Sequence, residues 1–178
     1  MSDIKEFCRI VRQRSSENIN ASSVLLRVGL IGHVIGVLRQ ELDSMVRVIY
    51  LLNQPENERS ILLRQTLTGN KWRLASGKQV TDKDMMALAD KLNGWTLSVY
   101  KFGCAFIHLS PFHYYQLCDP FDNISETDKD DMVRHLNHYH GYPMDADLNI
   151  KSITMYLPMI QEKISSNLEC YLRDLERI

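Results

Sequence analysis

The segment Arg134-His135-Leu136-Asn137-His138-Tyr139-His140 holds three of the six histidines of the chain, and five of the six lie between His108 and His140. Imidazole has the unperturbed pKa nearest neutral pH, so such a cluster is where proton transfer, metal binding or phosphate recognition is to be sought. An arginine fork holds a phosphodiester while an imidazole moves a proton. Together they are the minimum for metal-independent RNA cleavage with the ribose 2′-hydroxyl as nucleophile. Arg134 and His138, four apart, share a helix face, whereas Arg134 and His140 diverge by roughly 120° on an ideal helix, a gap that a long arginine closes. The same residues also have a purely structural reading. Histidines in a last turn before Gly141 favour the negative end of a helix, and Asp130 can pair with Arg134 at a four-residue spacing.

A second constellation sits in Tyr100-Lys101-Phe102-Gly103-Cys104-Ala105-Phe106-Ile107-His108. Leu97, Lys101, Cys104 and His108 fall on one side when each residue turns about 100°. Lys101 and His108, two turns apart, can then reach one phosphate. The structural alternative is a snorkelling lysine and a histidine bonded to a neighbouring helix. Arg27 to His33 repeats the six-residue interval, but Arg27 borders an apolar stripe and His33 lies away from it. A glycine-rich phosphate loop, a GxSxG elbow and an exposed catalytic carboxylate pair are missing. The four cysteines lack CxxC spacing and the histidine segments lack HxxE or ExxH, so no metal and no cofactor is expected.

The elements that would carry these residues are helices. Val24, Val28, Ile31, Ile35, Leu38, Leu42, Met45, Ile49 and Leu52 recur at three- and four-residue steps and predict one long helix over 23–53. Gly29, Gly32 and Gly36 share another side of it, and glycine costs about 1 kcal/mol in a helix interior, so a close backbone neighbour is expected there. Before it, Asp3 and Glu6 open a short helix that Ser15-Ser16 ends. After it, a helix spans 58–68 and stops at Gly69-Asn70. Thr81 and Asp84 form a capping box for a second long helix reaching Ser110, where Pro111 forbids continuation. Ser125 and Asp128 open a helix that stops at Gly141. The last runs from Ser152 to Glu176, with Pro158 kinking it or marking its true start. Alternating strands are absent, so the expected class is all-α, a helical bundle of about five to six helices with two or three of them long.

With 178 residues, 44% hydrophobic and 24% charged, the chain can bury one sizeable core, and one domain over 1–178 is expected. A formal net charge of −1 gives no global attraction to nucleic acid, so any RNA contact would need a local basic patch or a dimer groove. The apolar run 24–38 contains Arg27 and His33 and is too short and polar to span a bilayer. No leader-like segment is evident, and the widely spaced cysteines fit reduced thiols. A cytoplasmic protein with no membrane partner is expected.

The pattern resembles the HEPN superfamily (higher eukaryotes and prokaryotes nucleotide-binding domains). The likeness rests on an all-helical bundle of this size, on a long helix such as Leu38-Arg39-Gln40-Glu41-Leu42-Asp43-Ser44-Met45, and on Arg134-His135 with His140. The resemblance implies a metal-independent ribonuclease or RNA-processing domain of a prokaryotic toxin or antiviral system, dimerising so that two motifs form one cleft. It implies that Arg134 holds phosphate, that His140 acts as acid or base and that His135 fills the polar position. Lys101, His108 and His138 join them as candidates, His108 for catalysis and the other two for binding. Expected partners are RNA, a second copy and a cognate protein. Some HEPN-like proteins act as scaffolds or ligand-binding modules, so the alternative is a non-catalytic interaction or regulatory protein with structural histidines. A helical metal or small-ligand binder ranks third.

Overall fold

The computed structural model describes residues 2–178. Eight α-helices make an all-α bundle: α1 (Asp3–Arg27), α2 (Ile31–Leu52), α3 (Glu56–Leu67), α4 (Asp82–Asn93), α5 (Thr96–Ile107), α6 (Glu126–His140), α7 (Ile150–Thr154) and α8 (Leu157–Glu176). Short 3-10 turns at Pro111–Tyr114 and Pro120–Asn123 connect α5 to α6. Among the described residues the only β-type pairing is an isolated antiparallel bridge, Arg73 with Gln79.

The apolar residues of α2 explain its place. Val34, Ile35, Leu38, Leu42, Met45, Val46, Val48, Ile49 and Leu51 are all buried, too many for one stripe, and a helix apolar on most sides must be surrounded. It is the central element, with α8, α1, α5 and α4 packed around it. The amphipathic α8 faces it through Ile160, Ile164, Leu168, Leu172 and Leu175.

Several expected boundaries move. Ser15-Ser16 does not end the first helix, because the Ser15 hydroxyl donates to the buried Glu41 carboxylate of α2 instead of competing for its own backbone. α1 therefore continues to Arg27. The stripe read over 23–53 is divided by an elbow at Val28-Gly29-Leu30, where Gly29 takes φ 73°. That backbone favours glycine, and it leaves Val24 and Val28 exposed. The glycine face is thus not a backbone crossing. A Cβ on Gly32 would meet the rings of Tyr115 and Phe106 at 3.0 and 3.1 Å, and one on Gly36 would meet nothing within 4 Å. The close approach lies at Gly103, where an added Cβ would sit 2.7 Å from the Cβ of Arg39.

The second expected long helix is also two. Its capping box forms, with Thr81 N–H donating to Asp84 Oδ2 at 2.9 Å and Asp84 N–H to Thr81 Oγ1 at 3.2 Å. Gly94, at φ 72°, then ends α4 and turns the chain so that Trp95 is buried at the start of α5. Ser125 caps α6 and Gly141 stops it at φ 71°. Pro158 lies in the first turn of α8, where its missing N–H costs no helical hydrogen bond, and the short α7 precedes it. Eight helices replace the expected five or six because Gly94 and Pro158 each divide an expected helix in two, whereas the elbow at Gly29 only passes the start of the expected 23–53 helix to α1.

Candidate functional site

α6 is the element on which the sequence concentrates its chemistry, and the bundle uses its two sides differently. Met132, His135, Leu136, Tyr139 and His140 recur at helical spacing and face a cleft between α5, α6 and α8, with Ile35 and Leu38 of α2 at its floor. Val99 and Phe102 of α5 and Ile160 of α8 complete an apolar wall around about 70 Å³ of open space. Arg134 lies on the far side. Its guanidinium is exposed and ion-paired with Asp131, and it borders a shallow groove shared with Glu126, Asp130, Asp147 and Lys129. Three carboxylates against two cations give that groove the wrong sign for a phosphodiester.

The polar groups at the cleft are few. Ser98 Oγ and His135 Nδ1 are 3.2 Å apart, which fixes the imidazole against α5. The ammonium of Lys163, on α8, stands 3.6 Å from the centroid of the Tyr139 ring and 5.2 Å from that of Trp95. Both contacts are within the range of a cation on an aromatic face. Trp95 and Tyr139 themselves meet edge to face at 6.4 Å. Among the described residues no Asp or Glu pairs with Lys163, and burial pulls its pKa below the ordinary lysine value. Burial, then the repulsion of Lys163, lowers the pKa of His140. Burial first lowers that of His135 too, opposed by Asp131 and Asp90 and assisted by Arg134 and His138. Desolvation penalises the charged form, so both imidazoles are biased toward the neutral form.

The remaining candidates lie elsewhere. Lys101 donates to Asp128 Oδ1 at 3.0 Å, tying α5 to the first turn of α6, and the same carboxylate accepts from the Ser125 hydroxyl at 2.8 Å. His108 caps the C-terminal end of α5, its backbone N–H donating to Cys104 O at 3.1 Å and its side chain exposed. His138 is exposed and edge-on to Tyr139 at 4.5 Å. The structure therefore brings His135 and His140 to one cleft and leaves Arg134, Lys101, His108 and His138 outside it. Among the described residues no three of His, Cys, Asp and Glu converge as a metal-binding group.

Lys163, Trp95, Tyr139 and Ser98 complete the site without having been singled out in the sequence. A signal existed for Lys163, three residues after Ile160 and one before Ile164 in the apolar stripe of α8, where a lysine must lie at the stripe's edge. Trp95 carried none, because its burial depends on the turn at Gly94. Comparison of the chain with protein-family models, with curated proteins and with solved structures finds no match.

Proposed function

We propose that this chain is a non-catalytic helical binding module whose binding site is the cleft between α5, α6 and α8. One observation carries the reading: Trp95, Tyr139, His140 and Lys163 converge on an open apolar cleft, while Arg134 is turned away and neutralised by Asp131. Apolar walls with a few convergent polar groups at the mouth are what small-molecule sites present. Beyond its apolar side chains the cleft offers the Ser98 hydroxyl, 3.2 Å from His135 Nδ1, two imidazoles and one ammonium, and among the described residues no carboxylate hydrogen-bonds either imidazole to orient it as a base.

The test is methyl-resolved NMR of the intact protein with 1-hexanol as a neutral apolar probe. Shifts that saturate at Met132, Leu136, Ile153 and Ile160 are expected, and Val99→Phe, which places a ring in the space, removes them while the fold persists. The absence of any saturating shift in the wild type overturns the reading. The ribonuclease reading places Arg134 of one copy beside His140 of another, because within one chain the two face different ways. Incubation with RNA without divalent metal, with light scattering on the same sample, decides between the two. Intact RNA is expected, and cleavage lost in both Arg134→Ala and His140→Ala would put the ribonuclease in place of the binding module.

A further inference from the structure

Among the described residues Lys163 is a cation without an anion. It lies half-buried at the edge of the apolar stripe of α8 and holds its ammonium over Tyr139 and Trp95 at the mouth of the cleft. Aromatic faces attract a cation by roughly 0.5 to 2 kcal/mol, which is less than a desolvated charge gains from a carboxylate held at hydrogen-bond distance. Two of its three N–H directions at most are taken up by rings, so at least one donor remains available. Next to it, His140 offers an imidazole biased toward the neutral form by burial and by Lys163 itself. Among the described residues no carboxylate pairs with Lys163 to fill this gap.

The space behind the ammonium is apolar and small. At roughly 10 to 15 Å³ for each water-sized group, about 70 Å³ accommodates about five to seven heavy atoms. Leu136, Val99, Ile153 and Ile160 line it without a polar atom to spare, so a tail that entered would need to be aliphatic. Resting on the cleft reading above, we infer that the occupant is a short aliphatic monocarboxylate of about six carbons, its tail in the cleft and its carboxylate on Lys163 Nζ beside His140. A phosphate monoester has the charge but meets only one fixed cation here, whereas a single carboxylate matches that cation one to one. A primary amine meets repulsion from Lys163 and finds no acid.

The experiment extends the NMR titration to three probes of one tail length: hexanoate, 1-hexanol and hexylammonium, at pH 7 and constant ionic strength. Hexanoate is expected to bind about tenfold more tightly than hexanol, with hexylammonium weakest, and all binding shifts centred on the methyls of Met132, Leu136, Ile153 and Ile160. Lys163→Met keeps the length of the stem over Tyr139 but removes the charge. It should bring hexanoate down to the affinity of hexanol while leaving the hexanol shifts in place, and Lys163→Arg should keep most of the preference. Equal binding of hexanoate and hexanol by the wild type, tighter binding of hexylammonium, or a preference that survives Lys163→Met each overturns the carboxylate assignment and leaves the cleft reading standing. Failure of all three probes to move the cleft methyls overturns both.

Discussion

At the scale of single residues, the separation of Arg134 from His140 follows from helix geometry and from charge. The stripe that buries Met132 and Leu136 decides which side of α6 meets α5 and α8, and Arg134 is left opposite it, beside Asp131. What the sequence showed was the density of imidazoles. What it could not show was that two of them, His135 and His140, would share desolvation with a lysine from a helix more than twenty residues away. That shared burial has a pH signature. Both histidines have folded pKa values below the ordinary imidazole value, His135 through burial modulated by Asp131, Asp90, Arg134 and His138, and His140 through burial and then Lys163. As pH falls through the ordinary value of about 6.5, the unfolded chain takes up these protons first, so stability is full above that value and declines below it. The decline ends once the pH is under the folded pKa values and both states are protonated. Thermal midpoints measured from pH 8 to 5 should therefore fall on the acid side. The imidazole resonances of His140 should titrate below 6.5 and move upward in Lys163→Met, because the repulsion is gone. A His140 titration unmoved by that substitution would separate the two groups.

At the scale of elements, apolar periodicity located helical segments but not their ends, and glycine accounts for most of the difference. Periodicity is blind to a residue that keeps helical phase on both sides of a turn, so Gly29 and Gly94 passed as helix interior, although both take positive φ and end a helix. Capping chemistry was legible, since Thr81, Ser125 and Gly141 act through their immediate neighbours. Tertiary contact decided what local rules could not, as at Ser15, whose hydroxyl has a partner 26 residues away. The glycines within α2 and α5 give a paired test of this argument. Gly36 has nothing within 4 Å of an added Cβ, so Gly36→Ala should stabilise by about 0.5 to 1 kcal/mol, the usual gain of alanine over glycine in a helix. Gly103→Ala places its methyl 2.7 Å from Arg39 Cβ, an atom fixed to the α2 backbone, so α2 and α5 must separate. Overpacking costs about 1 to 3 kcal/mol, which outweighs the same helical gain and leaves the variant less stable. Denaturant unfolding of the two variants should thus shift in opposite directions, and a shift in the same direction would remove the close crossing at Gly103.

At the scale of the whole molecule, no helix among the described residues is long and apolar enough to cross a membrane, and the bundle is organised by polar as well as apolar burial. Glu41, fully buried on α2, accepts hydrogen bonds from Ser15 and Asn18 of α1, the latter at 2.8 Å, and from Ser165 of α8 at 3.2 Å. One carboxylate thereby ties three helices, and among the described residues no cation pairs with it. Hydrogen bonds of this kind fix register in a way that interchangeable apolar contacts between α1, α2 and α8 do not, because a one-residue slide of α1 would take two of its three donors from a buried carboxylate. Glu41→Ala removes the acceptor, strands Asn18 and opens a cavity, and should cost about 2 to 4 kcal/mol. Asn18→Ala leaves Glu41 with two donors and should cost about 1 to 2 kcal/mol. In the double variant the Asn18 amide is no longer present to be stranded, so its loss has already been counted in Glu41→Ala and the combined cost should fall short of the sum of the two by about 0.5 kcal/mol or more. Strict additivity in that cycle would show that α1 and α2 are registered by packing alone, and would leave the burial of Glu41 without a structural role.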